Sequence, residues 1–127
     1  MCYLAGMFLS YCAELDSFVC YANFLHSHHF LAFFKGHVKE LKLRINIFNE
    51  YFKTIIPDLF HYFQVVDVTT DLFLIDWMLT LYSKHLDLDI AARIWDCFML
   101  DGEVFAIKVG IAILKYFENT FLKVTTC

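Results

Sequence analysis

The chain has 127 residues, of which 60% are hydrophobic and 19% aromatic, and its formal net charge is −4. Ten Lys and Arg residues against 14 Asp and Glu leave no broad basic face, which argues against binding to nucleic acid or to an anionic membrane surface. The length fits one domain or part of one, and a chain this small cannot bury so much apolar surface by itself. We therefore expect an inner portion of a larger structure.

The first 34 residues bear on compartment and membrane topology. Residues 1–13 are apolar but lack a basic segment in front, which argues against a signal peptide. Residues 17–34 carry no formal charge and approach the bilayer-spanning length of about 20 residues. Three histidines, an asparagine and two serines in that stretch favour a buried helix, so no transmembrane segment is expected.

Cysteine usage points to a reducing compartment. The five cysteines, at positions 2, 12, 20, 97 and 127, include no CxxC pair. An odd number cannot close completely into intrachain disulfides, so we predict a cytoplasmic protein.

Residues 38–52 form the clearest amphipathic pattern in the chain. Apolar side chains recur there at helical spacing, namely Val38, Leu41, Ile45, Phe48 and Phe52. Arg44 falls on the polar side, where we expect it to be solvated. Pro57 is tolerated in a first helical turn and begins a short helix. Thr69 or Thr70 is expected to cap the helix that follows.

Residues 72–82 are apolar almost all round, which indicates a helix enclosed by neighbours. Asp76 alone interrupts this run. We interpret it as an inward carboxylate that accepts hydrogen bonds from amide or indole groups. Trp77 beside it is interpreted as a core anchor. Asp87 or Asp89 can then cap the next helix.

That next helix places Asp89, Arg93 and Asp96 on one face, which predicts an arginine clasped between two acids. Trp95 is interpreted as a second core anchor. The helix is expected to end at Asp101-Gly102, and a last helix follows. Since strand signals are weak throughout, the predicted fold class is all-α, a multi-helix bundle of six or seven short helices.

Several short motifs follow one another in a specific order. They are Pro57-x-Leu59-x-x-x-x-Phe63, Ile75-Asp76-Trp77, Leu79-Thr80-Leu81-Tyr82-Ser83, Leu86-x-Leu88-Asp89, Arg93-Ile94-Trp95-Asp96, Asp101-Gly102 and Ala112-Ile113-Leu114. In this order they resemble the C-terminal half of a TBC domain, the all-helical module that activates Rab-family GTPases. Upstream, Cys2-Tyr3-Leu4-Ala5-Gly6-Met7 resembles the family's GYxQGM motif, and Ala22-Asn23-Phe24-Leu25 resembles its AFxNLL-type helix. The resemblance covers about residues 2–118, and we interpret residues 1–127 as one partial TBC domain.

The resemblance implies a catalytic pair in the family. An arginine stabilises the charge that develops on the transferring phosphoryl group, and a glutamine orients the attacking water. Tyr3, Gly6 and Met7 match the tyrosine-glutamine motif, but Ala5 stands at the glutamine position. Alanine has no side-chain donor or acceptor, so it cannot position a water.

The arginine finger is also missing from these 127 residues. In the family it lies upstream, in an IxxDxxR motif that this sequence does not contain. The chain has two arginines, Arg44 and Arg93, and neither stands in the context of a finger. We therefore expect a truncated, catalytically impaired domain with no catalytic residue of its own.

Three hypotheses follow from this pattern. The first is a silent Rab-GAP domain that retains a surface for a Rab GTPase and acts in vesicle traffic or autophagy, in the cytoplasm and, through partners, peripherally at endomembranes. The second is a helical interaction scaffold with no GTPase dependence. The third is a fragment that does not fold by itself, which the excess of apolar residues suggests.

Other site chemistries fit the sequence less well. His26, His28, His29 and His37 suggest zinc, but no cysteine or carboxylate lies close to them and His28 leaves the helical face that His26 and His29 share, so no metal site is predicted. Cys20 and Cys97 have apolar neighbours and are interpreted as core fillers. No glycine-rich phosphate loop is present, and no cofactor is expected.

Overall fold

The computed structural model describes residues 2–123 and forms eight α-helices within that range. They are α1 (Cys2–Tyr11), α2 (Glu14–Leu25), α3 (His28–Phe34), α4 (Val38–Ile55), α5 (Pro57–Val65), α6 (Asp71–Thr80), α7 (Leu88–Asp101) and α8 (Glu103–Lys123). The all-α prediction is confirmed, with one or two helices more than expected. Met1 and residues 124–127, including Cys127, lie outside the described residues.

The uncharged stretch of residues 17–34 is divided between two helices. Helix α2 ends at Leu25, and α3 begins at His28. Its interpretation as a buried helix holds for one side only. Phe24 is buried, but the side chain of Phe18 is 69% exposed because α1 and α3 cover a single face of α2. Among helices in the described range, none combines the length and the apolar character needed to cross a membrane.

Helix α8 lies at the centre of the bundle and contacts α4, α5, α6 and α7. Its contact with α4 depends on Gly110. A Cβ atom at that position would lie 2.7 Å from Cε2 of Phe48 and 2.9 Å from the hydroxyl oxygen of Tyr82. The two helices therefore approach each other at a site where only glycine fits without a shift of its neighbours.

The turn between α6 and α7 contains two consecutive residues in the left-handed conformation, Leu81 with φ 42° and Tyr82 with φ 64°. Each such residue costs about 1–2 kcal/mol. Both side chains are fully buried. The Trp95 indole donates to the carbonyl of Leu81 at 3.1 Å, and the Tyr82 hydroxyl donates to the carbonyl of Ala106 at 2.6 Å. The turn is therefore fixed by α7 and α8 together.

Arg44 is buried, which contradicts the expectation that it is solvated. Its side chain donates from Nη2 to Oε1 of Glu103 at 2.6 Å and from Nε to Oε2 at 3.0 Å. The ring of Phe33 lies 5.9 Å from its Cζ atom. Helical periodicity within α4 could not predict that Arg44 is buried. Its partner Glu103 lies at the start of α8, and α3 covers both side chains.

His29 completes this group, which we call the Glu103 cluster (His29, Arg44, Glu103); His29 and Arg44 are buried, and the side chain of Glu103 is 31% exposed. The His29 Nε2 atom lies 3.0 Å from the carbonyl oxygen of Met78, and Nδ1 lies 3.2 Å from Oε1 of Glu103 without hydrogen-bond alignment. Burial by itself raises the pKa of Glu103, but His29 and Arg44 outweigh it and lower that pKa to about 2. The cluster ties α3, α4, α6 and α8 together.

The apolar run of residues 72–82 is not one enclosed helix, which contradicts the prediction. Helix α6 ends at Thr80, and Leu72 on its outer side is 70% exposed.

The other helix boundaries were predicted well, but the capping bonds were not. Pro57 begins α5, and α7 ends at Asp101 before Gly102 with φ 72°. Thr70 precedes α6 without capping it, because its hydroxyl donates instead to the side-chain oxygen of Asn49 at 2.6 Å. Asp87 precedes α7 and makes no capping side-chain bond either.

Candidate functional site

The residues of the predicted tyrosine motif lie on α1 and divide between its two faces. Met7 is buried in the core, whereas Tyr3 is 45% exposed and Gly6 is exposed. Ala5 is half-buried between them. No charged residue occurs in α1, so its outer face is neutral and largely apolar.

Gly6 lies inside α1, where glycine is less favourable than alanine by about 1 kcal/mol. Packing does not require it, because a Cβ atom there would meet no heavy atom within 4 Å. Its backbone is therefore open to close approach by another molecule.

A groove of about 330 Å³ separates α1 from α7. Its lining residues are Met7, Phe8, Tyr11, Cys12, Ala92, Trp95, Asp96 and Met99. The groove thus brings together three residues of the predicted motifs, Met7, Trp95 and Asp96. The Trp95 ring stacks on Phe24 with centroids 5.1 Å apart and meets the Phe8 ring edge-on at 5.4 Å. Its wall is therefore an aromatic stack continuous with the core.

Asp76 is part of a surface cluster and does not face inward as expected. Its Oδ2 atom accepts from Nζ of Lys84 at 2.7 Å and from Nε2 of His85 at 2.8 Å. These three residues form the Asp76 cluster, and each of their side chains is more than a third exposed. The hydrogen bond from Lys84 is the main reason that the pKa of Asp76 is lowered. The expectation was wrong because Asp76 lies on the outer side of α6, where the chain returns after the turn.

The hydrogen bond to Asp76 is also the main cause that raises the pKa of Lys84. The sequence did not predict that Lys84 and His85 contact Asp76. Both residues follow the end of α6, and helical spacing predicts neighbours only within one helix.

The predicted arginine clasp on α7 does not form. Asp89, Arg93 and Asp96 are all exposed, and no ion pair joins Arg93 to either acid in the described structure. An ion pair between exposed side chains gains little free energy compared with separate hydration of the two charges, which explains why this clasp does not form. Trp77 is half-buried, with its ring 4.8 Å from that of Phe73 and 5.6 Å from that of Tyr82.

The histidines and cysteines do not form a metal centre within residues 2–123. No group of three or more His, Cys, Asp or Glu side chains in this range could hold a metal ion. His26 bonds the carbonyl oxygen of Ala22 at 2.7 Å, whereas His28, His29 and His37 lie near Glu40 or Glu103. Cys20 is exposed on α2 and is not a core filler, while Cys97 is half-buried. The outward face of α2 explains the difference.

Comparison with known proteins gives a consistent result. The family described as the Rab-GTPase-TBC domain matches residues 1–122. The chain is 37% identical over 123 residues to TBC1 domain family member 12 of Xenopus tropicalis and to TBC1 domain family member 14 of Homo sapiens, covering 97% of this chain and 18% of each relative. Drainin of Dictyostelium discoideum is 32% identical over 125 residues, covering 98% of this chain and 28% of that protein. The chain thus spans less than a third of the length of these relatives.

Proposed function

Because the chain belongs to the Rab-GTPase-TBC domain family, whose members activate Rab GTPases, we propose that it binds a Rab-family GTPase without accelerating GTP hydrolysis. The proposed binding surface is α1 with the groove beside it. In this proposal residues 1–127 act as a partial, catalytically impaired TBC domain.

The open face of α1 supports binding at this position. Gly6 exposes backbone inside α1, and other residues of the same helix line a groove whose wall includes Trp95. An exposed apolar patch with an aromatic anchor is the usual composition of the centre of a protein interface.

The impairment is supported by one observation above all, the alanine at position 5 in place of the family's glutamine. No polar side-chain atom at that position is available to hold a water. Arg44 cannot supply the missing cation, because it is buried against Glu103. Arg93 is exposed, so the hydrolysis experiment below includes it.

The binding proposal is tested by capture of a panel of Rab GTPases, each loaded with GDP or with a non-hydrolysable GTP analogue. We expect nucleotide-dependent capture of at least one member. A Gly6→Leu variant, which places a bulky side chain on the open face of α1, should lose that capture, whereas Leu72→Ala on the exposed side of α6 should retain it. Equal capture of the GDP-loaded and the GTP-analogue-loaded forms of a Rab contradicts the proposal.

The catalytic proposal is tested by single-turnover GTP hydrolysis with the same panel. The chain itself should leave the rate unchanged. Ala5→Gln should raise the rate for a captured Rab, and the matched Ala5→Met variant, of similar length but without an amide, should not. Clear stimulation by the unaltered chain, especially if Arg93→Ala removes it, would refute the proposal of a silent domain.

A scaffold function independent of nucleotide is the second candidate, and exposed apolar side chains favour it. Leu15 is 75% exposed and Phe18 is 69% exposed on α2. Such a surface needs a partner. Equal capture of a partner in the presence of GDP- and GTP-loaded Rabs, with no Rab retained, is the result that selects this function.

We also propose a cytoplasmic location at endomembranes, reached through a partner, and a role in vesicle traffic or autophagy. Free thiols at Cys2, Cys12, Cys20 and Cys97 support a reducing compartment. Fractionation of cells that express the chain tests this proposal, since recovery only in a secreted or luminal fraction contradicts it.

A further inference from the structure

We propose that the chain associates with itself, and that helix α2 of one copy docks into a groove between α4 and α8 of a second copy. The contact joins two exposed features of the same chain. One is an apolar stripe beside acidic side chains, and the other is an apolar groove beside lysines. The inference goes beyond the proposed function, because neither feature includes a residue of α1.

The α4–α8 groove has a volume of about 490 Å³ and a mainly aliphatic lining. Ile47, Tyr51 and Ile55 recur at intervals of four residues along α4, and each is 39–50% exposed. Val104 lines the α8 side and is 55% exposed. Because a helix rises 1.5 Å per residue, the three α4 side chains form a strip about 12 Å long. The groove therefore accommodates about two turns of another helix.

The charge of the α4–α8 groove is positive. Among its charged lining residues, Arg44 and Glu103 neutralise each other through two hydrogen bonds. Lys108 and Lys115 remain. Lys108 is exposed, and Lys115 is 56% exposed although it donates to Glu118 at 2.7 Å. The groove thus favours an apolar occupant that carries negative charge.

Helix α2 has the complementary surface. Leu15, Phe18 and Val19 are 75%, 69% and 50% exposed, respectively. They lie at positions i, i+3 and i+4, the spacing with which an amphipathic helix anchors in an apolar groove. Glu14 and Asp16 flank Leu15 in the sequence and are exposed, and α2 contains no lysine or arginine. Its outer side therefore combines apolar anchors with negative charge.

A second copy of the chain is the occupant that these features favour. Contact between α2 and the α4–α8 groove brings opposite charges together, whereas contact between two α2 helices or two grooves brings like charges together. Because the two surfaces differ, the contact is heterologous, and association continues beyond a dimer unless a ring closes. A contact of about two helical turns is smaller than a standard interface, so we expect a dissociation constant on the order of 10 μM.

Sedimentation equilibrium of the 127-residue chain from about 1 to 100 μM tests the inference. The average mass should rise with concentration, and less so at high salt. Phe18→Glu should weaken association at least tenfold, because it places a charge in the apolar contact. Lys108→Glu/Lys115→Glu should weaken it about tenfold. The matched control Leu72→Glu, which alters a side chain 70% exposed on α6, should associate as the unaltered chain does.

A mixture of variants tests whether these two surfaces meet each other. Phe18→Glu retains an intact groove, and Lys108→Glu/Lys115→Glu retains an intact α2. An equimolar mixture should therefore form a dimer of one copy of each and stop there, because the two surfaces left over are both altered. Thermal unfolding checks the fold of each variant, and Lys108→Glu decides the result if the loss of the bond between Lys115 and Glu118 makes the double variant unstable.

Three results would overturn the inference. They are a chain that stays monomeric over the whole range, weakening by Leu72→Glu equal to that by Phe18→Glu, and a mixture that associates no better than its components. If the chain is monomeric but floats with phosphatidylcholine vesicles, and Phe18→Glu abolishes this, α2 faces lipid instead. The experiment contains no GTPase, so its failure leaves the proposed function standing.

Discussion

Glu103 and Asp76 are both partly exposed carboxylates that contact basic side chains, but the burial of those basic partners differs. Glu103 contacts the buried side chains of Arg44 and His29, and the hydrogen bond between His29 and Met78 extends the cluster to a fourth helix. Asp76 contacts Lys84 and His85 at the surface, and all three side chains are more than a third exposed. Burial decides what each cluster contributes, because ion pairs in the interior are costly to break and ion pairs in water contribute little to stability.

The comparison teaches that similar chemistry stabilises the fold where the basic partners are buried and contributes little to stability where they are solvated. The following predictions test this division, beginning with the largest expected effect.

Arg44→Met should lower the free energy of unfolding by about 3 kcal/mol, because it removes two charge-assisted hydrogen bonds from the partly buried carboxylate of Glu103. Urea denaturation measures the change. The double variant Arg44→Met/Glu103→Gln should recover part of the loss, since no unpaired charge remains. A loss below about 1 kcal/mol would show that the Glu103 cluster behaves like a surface pair.

Acid should weaken the fold through Glu103. Its pKa falls from 4.5 to about 2 on folding, so the unfolded chain binds the proton more readily. A lowered folded-state pKa gives stability that is fully present above pH 4.5 and is lost as the pH falls toward 2. The amount is on the order of 2 to 3 kcal/mol. Unfolding measured across this window should depend less on pH in Glu103→Gln, and an unchanged dependence would contradict the assignment.

Gly110→Ala should destabilise the protein by about 1 kcal/mol. Overpacking against Phe48 costs about 1–3 kcal/mol, which exceeds the gain of about 1 kcal/mol from better helix propensity. Calorimetric unfolding measures the difference. A more stable variant would mean that Phe48 and Tyr82 move aside easily.

Gly6→Ala should have the opposite sign, with a gain of about 0.5–1 kcal/mol, because the new methyl group meets open space. The same calorimetric measurement serves both glycines. If the outer face of α1 is an interface, this more stable variant should capture the Rab more weakly than the unaltered chain. Loss of stability would place Gly6 in a packed environment and contradict the open face.

Asp76→Asn should change the free energy of unfolding by no more than about 0.5 kcal/mol, since its partners are solvated. Parallel measurements with Arg44→Met give the contrast between the clusters. A destabilisation as large as that of Arg44→Met would remove the distinction between them.

Local sequence patterns were sufficient to predict most of the fold. The periodicity of residues 38–52 lies inside α4, Pro57 begins α5, and Asp101-Gly102 ends α7. These features depend on neighbours within one or two helical turns. The break of residues 17–34 into α2 and α3 was missed, because no proline or glycine marks it.

The site was predicted less completely, because its contacts cross between helices. Arg44 pairs with a residue 59 positions away, so its place on a polar helical face gave the wrong environment. Asp76 was recognised as unusual among apolar neighbours, but its partners could not be predicted. They follow a turn with two left-handed residues, and neither of these is a glycine or an asparagine. The motif order identified α1 and Trp95, and the structure then showed that one groove joins them.

The stacking of Trp95 on Phe24 has a spectroscopic consequence. The indole is almost wholly shielded from water, lines the groove beside α1 and donates its proton to the carbonyl of Leu81. Its fluorescence therefore depends on the polarity of that groove and on the geometry of the turn that contains Leu81. With Trp77 replaced by phenylalanine, the protein would carry a single intrinsic chromophore of this kind, so occupancy of the groove could be followed optically without an attached dye.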